Sequence, residues 1–123
     1  MDTQGIPHAL SVTTADVTDR KGALLMFQKD KDNLLKAEKV LADGGYQGTQ
    51  FREEVSELIE ADVEIATRNA LHNFEVIPKR WTVERSFAWL DKCRRLWKNC
   101  ERKLNTSLQF MVLAFIRILI QRL

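Results

Sequence analysis

The sequence has few cysteines, prolines and glycines: two, two and five of its 123 residues, with a single tyrosine. Two cysteines cannot build the disulfide framework of a small secreted domain. Cys93 and Cys100 are also too far apart along a helix, roughly 10 Å, for a disulfide. We therefore expect both to be reduced and the protein to be cytoplasmic. The apolar run from Phe110 to Ile120 is interrupted by Arg117 and is too short to cross a bilayer, which predicts a buried or partner-facing helix and no membrane association.

Charge is distributed unevenly along the chain. The net charge is +2, but residues 79–123 carry eleven Lys or Arg against three acids, a net +8, whereas residues 1–78 carry a net −6. This asymmetry indicates that the C-terminal third contacts a polyanion, most commonly the phosphate backbone of nucleic acid. A solvated helix face would carry the same charges. The interleaved Trp81, Trp89 and Trp97 favour nucleic acid, although their spacing is also typical of core residues.

Residues 80–98 form one helix with two faces if each residue turns the chain by about 100°. One narrow stripe holds the charged members: Arg80, Glu84, Asp91, Arg95 and Lys98. The opposite side holds the apolar members: Val83, Leu90, Cys93, Leu96, Trp97 and Cys100. The pattern predicts one buried face and one charged, exposed face. A carboxylate among cations stays ionised and can bind a divalent cation, so Glu84 is a candidate metal ligand.

Strand patterns and helix patterns alternate along the rest of the chain. Predicted strands cover 8–14, 39–42 and 63–66, and a turn at residues 2–5 precedes the first of them. Predicted helices cover 20–36 (capped by Asp19), 49–60, 80–100 and, from Asn105 or Thr106, the C-terminal end. This order predicts an α/β fold with a short mixed sheet, flanking helices and two C-terminal helices.

Asp43 is the second candidate site residue, in the segment Val40-Leu-Ala-Asp-Gly-Gly-Tyr46. A carboxylate at the C-terminal end of a strand lies where α/β proteins build their sites, and the glycines let a ligand approach the backbone. The commoner role of Asp before Gly-Gly is to close a turn, so that alternative stays open. Tyr46 is more typical of a packing residue.

Two motifs resemble those of a known family. They are Leu41-Ala-Asp-Gly-Gly-Tyr46 and Lys79-Arg-Trp-Thr-Val-Glu-Arg-Ser-Phe-Ala-Trp-Leu90, the latter followed by Arg94-Arg95-Leu96. Over essentially its whole length the chain resembles the C-terminal catalytic half of bacterial insertion-sequence transposases of the DDE class. The resemblance implies part of a ribonuclease H-like fold, on which an Asp-Asp-Glu triad holds two magnesium ions and cuts and rejoins DNA.

The resemblance implies that Asp43 and Glu84 are catalytic residues and Mg²⁺ ligands. Asp43 matches the second acid, in Ala-Asp-x-Gly-Tyr, and Arg80 and Glu84 match the third-acid signature Tyr-(2)-Arg-(3)-Glu-(6)-Lys. The tyrosine position of that signature holds Ile77 and its lysine position holds Asp91. We expect the two carboxylates to converge within about 8 Å, close enough to flank a metal pair.

The resemblance and the basic helix together imply DNA contacts. The expected DNA-binding residues are Arg80, Arg85, Lys92, Arg94, Arg95 and Lys98. In the family the first acid lies on the first strand of the fold. We therefore expect residues 1–123 to be the C-terminal part of the catalytic domain, without that strand and its Asp, and to be unable to cleave DNA alone.

These features predict a DNA transposase fragment, which in its complete form cleaves and transfers strands at insertion-sequence ends. Its expected partners are double-stranded DNA at transposon ends and either a second copy of the chain or the missing N-terminal part. The alternative is a noncatalytic DNA-binding remnant that regulates transposition. A helical interaction module is a third hypothesis, supported only by the apolar C-terminal helix.

Overall fold

A computed structural model of the chain describes residues 1–66 and 80–122, and both Ile77 and the side chain of Arg80 lie outside the described residues. The helices are α1 (Asp19–Lys29), α2 (Lys31–Leu34), α3 (Thr49–Ile59), α4 (Arg80–Asp91) and α5 (Leu104–Ile120). The strands are β1 (Lys39–Asp43) and β2 (Asp62–Ala66), and single 3₁₀ turns cover Gly44–Tyr46 and Arg94–Leu96. The chain divides into two compact units: Val17–Pro78, called the sheet unit, and Met1–Asp16 with Lys79–Leu123, called the helical unit.

The sheet unit is built around one β-α-β crossover. The two strands pair in parallel, with Lys39 opposite Asp62 and Asp43 opposite Ala66, and α3 connects them. Alternate strand residues pack with α1 and α3 around a core: Phe27, Phe51, Val55, Ile59, Ala61 and Val63. The predicted α/β fold with a short sheet is confirmed, and the arrangement is consistent with part of a ribonuclease H-like fold.

The predicted helix over 20–36 is in fact two helices. The first ends at Lys29, and α2 begins at Lys31 after Asp30, whose φ and ψ of −108° and 26° are not helical. The capping residue is Thr18 rather than Asp19, since the Thr18 hydroxyl accepts a hydrogen bond from the amide of Lys21. The break lets Leu34 turn back onto the core, so tertiary packing overrides a helical pattern that local propensity alone would continue.

The helical unit has a small core between α4 and α5. Its buried members are Leu90, Ala114 and Phe115, with Leu10, Cys93, Leu96, Met111 and Ile118 packed against them. No helix within residues 1–66 and 80–122 is both long and apolar enough to cross a membrane. Cys93 is half-buried, and both cysteines are free thiols, but Cys100, which the pattern places on the buried face of the helix, is exposed because the helix ends at Asp91.

Residues 8–14, expected to be a strand, are not in a strand in the structure. A strand needs a partner for its backbone groups, and no neighbouring strand is paired with this segment in the part of the chain that the structure describes. Leu10 is instead packed against the core between α4 and α5. A favourable side-chain pattern is therefore not sufficient here to make a strand.

The predicted single helix over 80–100 is wrong beyond Asp91. Cys93 has extended backbone angles, and a 3₁₀ turn follows at Arg94–Leu96. This bend packs Cys93 and Leu96 against the core between α4 and α5. The free energy gained by burying their apolar surface is larger than that of continuing the helix. The predicted stripe therefore ends at Asp91, and Arg95 and Lys98 do not share a helix face with Glu84.

Candidate functional site

Asp43 is the last residue of β1, at the edge of the sheet where both parallel strands end. Its Oδ1 accepts a hydrogen bond of 2.9 Å from the amide of Gly45 and so caps the 3₁₀ turn Gly44–Tyr46. A Cβ on Gly45 would lie 3.0 Å from that same oxygen, which explains the glycine at this position. Asp43 thus closes a turn, and because an ionised carboxylate has about four acceptor sites, it can also bind a cation.

Arg20 holds the loop after Asp43 in place. Its Nε donates to the carbonyl oxygen of Gly45 at 2.8 Å, and its Nη2 donates to that of Gln47 at 2.6 Å. The sequence analysis missed Arg20, and no local pattern could have found it, because α1 and this loop are 25 residues apart. The arginine anchors the backbone that follows the candidate ligand.

Tyr46 packs inside the sheet unit, as its sequence context suggests. Its ring lies 5.2 Å from that of Phe51 and borders the core. Burial raises the pKa of the Tyr46 phenol, and the negative charges of Asp19 and Asp43 raise it further. Tyr46 therefore stays a neutral hydroxyl near Asp43.

Glu84 is exposed on α4, on the side opposite the buried positions of that helix. The buried positions are Thr82, Ser86 and Leu90, spaced four apart. The predicted direction of the buried face is therefore correct for α4, but small polar residues form much of it. Val83, expected to be buried, is 42% exposed, and Trp97 is 81% exposed beyond the end of the helix.

Thr82 and Ser86 are buried against a turn at the start of the chain. The Ser86 hydroxyl donates to the carbonyl oxygen of Gly5 at 2.7 Å. The turn itself is held by Asp2, whose Oδ1 accepts hydrogen bonds from the amides of Gln4 and Ile6 at 2.8 and 3.0 Å. Burial opposes ionisation of Asp2, but these hydrogen bonds and the one with His8 lower its pKa below the usual value. Asp2 is thus a turn residue, as predicted.

Arg85 lies in a stack of alternating indole and guanidinium groups. Its guanidinium carbon is 4.4 Å from the ring centre of Trp81 and 4.9 Å from that of Trp89. Its Nη2 donates to the carbonyl oxygen of Gln4 at 2.7 Å, and its Nε is buried without a hydrogen-bond partner among the described residues. Arg122 stacks on Trp89 at 3.6 Å. Arg85 is therefore engaged in holding α4 to the first turn of the chain.

Four of the expected DNA contacts, apart from Arg80 and Arg85, are exposed. Lys92, Arg94 and Lys98 follow α4 on the surface of the helical unit. Arg95 is also exposed, but it forms an ion pair with Glu101 and stacks on Phe110 at 4.7 Å. These residues lie at or beside the 3₁₀ turn Arg94–Leu96, whereas the sequence predicts that they belong to one helix over 80–100.

Asp43 lies in the sheet unit and Glu84 in the helical unit, so their convergence stays a prediction. Within residues 1–66 and 80–122, no group of three or more His, Cys, Asp or Glu side chains is placed to hold a metal ion. Each of the two carboxylates supplies the hard oxygen donors that Mg²⁺ prefers, so each fits the chemistry of a Mg²⁺ ligand.

Comparison with known proteins gives one finding. The family model described as "Transposase DDE domain" matches residues 1–119. No curated protein and no solved structure matches the chain.

Proposed function

We propose that this chain, which belongs to the transposase DDE domain family, takes part in cutting and rejoining DNA at the ends of a bacterial insertion sequence. The family match over nearly the whole chain carries this proposal. We further propose that residues 1–123 are the C-terminal part of the catalytic domain and that the first acid of the triad belongs to a strand upstream of it. The free cysteines support a reducing, cytoplasmic setting.

Asp43 and Glu84 are the residues we propose as Mg²⁺ ligands. Asp43 is exposed at the C-terminal edge of the sheet and is held there by the turn that Arg20 anchors. Glu84 is exposed on a helix whose opposite face is fixed by Ser86 and Arg85. Bound metal ions would activate the attacking oxygen and stabilise the leaving oxygen of a phosphodiester. The chain's part is to hold two ionised carboxylates in fixed orientations.

A paramagnetic metal tests whether the two carboxylates share a site. We expect Mn²⁺ added to the ¹⁵N-labelled chain to broaden the amide signals around both Asp43 and Glu84 over the same concentration range. Asp43→Asn should weaken the broadening at both places, because carboxylates within about 8 Å would hold the same ions. Asp32→Asn, at an exposed position on α2, is the matched control. Broadening around only one of the two residues would contradict a shared site.

Duplex DNA is the proposed macromolecular partner. The helical unit contains the whole of the basic segment 79–103, where the exposed cations Lys92, Arg94 and Lys98 lie close in sequence. Their charge attracts the phosphate backbone without regard to base sequence, and each neutralised phosphate releases counterions. The proposal includes Arg80 as a contact from the family motif, and Arg85 as a residue that orients α4.

The salt dependence of DNA binding measures these contacts. We expect Arg94→Ala, Arg95→Ala and Lys98→Ala, combined, to reduce the slope of log K against log salt by about two to three phosphate equivalents. The lower figure applies if the ion pair with Glu101 keeps Arg95 from the phosphates. Binding to a labelled end-containing duplex at several salt concentrations gives the slope.

The control for this experiment removes the same charge elsewhere. Lys29, Lys31 and Lys36 are exposed in the sheet unit, and their triple Ala variant should leave the slope unchanged. An equal fall in both variants would mean that binding follows net charge alone. DNA binding without a shared metal site would favour the noncatalytic regulator.

A further inference from the structure

We infer that the cavity between α4 and α5 is a binding site for a phosphate group. The cavity has a volume of about 220 Å³ and lies wholly within the helical unit. We call it the α4/α5 pocket and define it by Lys92, Arg117 and Arg122, with Trp89 and Cys93 in its wall. Arg117 and Arg122 have no part in the family motif or in the proposed basic segment.

The lining of the α4/α5 pocket is positively charged. Three cations from two segments of the chain face one concavity, and no Asp or Glu from the described residues lines it. Cations gathered in this way repel one another and raise the local concentration of anions. A bound anion removes that repulsion, so the charge of the pocket favours anion binding.

Two of these cations have an alternative explanation, which is that they stabilise the C-terminal ends of α4 and α5. Arg117 is in the last turn of α5, and Lys92 directly follows α4, where cations stabilise the partial negative charge of the helix terminus. Each terminus carries roughly half a negative charge, so two termini offset about one of three positive charges. A charge of about +2 remains, which matches the −1.5 to −2 of a phosphate monoester at neutral pH and exceeds the single charge of a phosphodiester.

The contacts of Arg122 leave its hydrogen-bond donors available. Its guanidinium carbon lies 3.6 Å from the ring centre of Trp89, a cation–π contact that uses none of its N–H donors in a hydrogen bond. The five N–H donors of a guanidinium lie in its plane and can still make a bidentate contact with phosphate oxygens. The backbone of Trp89 also accepts a hydrogen bond from the Cys93 thiol, at 3.8 Å. The contact with the indole therefore places one cation in the wall of the α4/α5 pocket.

Two sources could supply the phosphate: the DNA backbone or a small phosphorylated compound. The charge balance favours a phosphate monoester, and DNA as the source would rest on the proposed function, whereas the phosphate site itself does not. If DNA is the source, the α4/α5 pocket adds a contact that the basic segment alone does not provide.

Inorganic pyrophosphate tests the site without DNA. The three tryptophans give three indole N–H signals in the ¹⁵N-labelled full chain, assigned by single Trp→Phe variants. At constant ionic strength we expect pyrophosphate to shift the Trp89 signal saturably and to leave that of the exposed Trp97 unchanged. Arg117→Gln with Arg122→Gln should weaken binding at least about tenfold, since two of three charged contacts are lost. A non-saturating shift, or one shared by Trp97, would overturn the inference.

Two further variants control for charge and for folding. Lys29→Gln with Lys31→Gln removes the same charge in the sheet unit, outside the pocket, and should leave pyrophosphate binding unchanged. Arg117→Lys with Arg122→Lys keeps the charge but loses the planar donors, so it should bind more weakly than the original chain and more tightly than the glutamine pair. Loss of binding in the lysine pair, with an unchanged circular dichroism spectrum, would overturn the charge argument.

The salt slope of duplex binding identifies the source of the phosphate. If the DNA backbone occupies the pocket, Arg117→Gln with Arg122→Gln should lower the slope by up to about two phosphate equivalents. Pyrophosphate binding with an unchanged slope would support the phosphate site and assign it to a small phosphorylated compound. The combined variant Arg94→Ala, Arg95→Ala and Lys98→Ala could leave the slope unchanged while pyrophosphate still binds. This result would contradict the proposed DNA surface and would still support the phosphate site in the pocket.

Discussion

Glu84→Gln is expected to lower Mg²⁺-dependent nicking of an end-containing duplex by at least about a thousandfold. A neutral amide binds a divalent cation much more weakly than an ionised carboxylate does. A thousandfold loss of rate corresponds to an increase of roughly 4 kcal/mol in the activation barrier. DNA binding should change less than about twofold, because the substitution removes a metal ligand and leaves the phosphate contacts in place. Nicking is measured with the 123-residue chain and with the same chain extended by the reading frame upstream of Met1.

The matched control for Glu84 is on the same helix. Asp91→Asn removes one negative charge from an exposed position two turns further along α4 and should leave nicking within a few-fold. Equal losses in the two variants would show that charge on this helix, rather than metal binding, controls the reaction. We expect only the extended chain to nick. Strong activity of the 123-residue chain would mean that the first acid lies within it, and Asp2 is then disfavoured because its carboxylate is bound within its own turn.

Gly5→Ala is expected to destabilise the helical unit by about 2 to 4 kcal/mol. A Cβ at this position would lie 2.6 Å from the Ser86 Oγ and 3.3 Å from the Thr82 carbonyl oxygen. The φ angle of Gly5, +83°, adds a cost of roughly 1 kcal/mol for any residue with a Cβ. Overpacking against a buried helix adds about 1 to 3 kcal/mol. Urea unfolding followed by tryptophan fluorescence measures the change, since all three tryptophans lie in this unit.

A double-mutant cycle separates the clash from the backbone strain. In the Ser86→Ala background the Oγ is absent, so Gly5→Ala should then cost only about 1 to 2 kcal/mol. Gly44→Ala is the general control, because a Cβ there meets nothing within 4 Å and φ is not positive, and we expect less than about 1 kcal/mol of change. A fully additive cycle would show that Ser86 does not limit the space at Gly5.

Local sequence pattern predicted the central part of the sheet unit within one residue at each end. Strand β1 was expected over 39–42, α3 over 49–60 and β2 over 63–66, and all three are present. These boundaries depend on short apolar runs and on glycines, which act through the backbone of adjacent residues. The segments 8–14 and 92–100 were predicted wrongly because their structure depends on a partner strand or on packing against α5.

The sequence by itself determined the α/β class, the charge asymmetry and the two motif acids that indicate the family. Only the tertiary structure decided that Arg20 anchors the loop after Asp43, that Arg85 donates a hydrogen bond to the carbonyl oxygen of Gln4, and that Arg117 and Arg122 join Lys92 around one cavity. Each of these contacts joins residues that are far apart in the sequence, and no local periodicity relates such residues. Helix ends and long-range contacts are set by which apolar side chains can be buried together, a property of the folded chain as a whole.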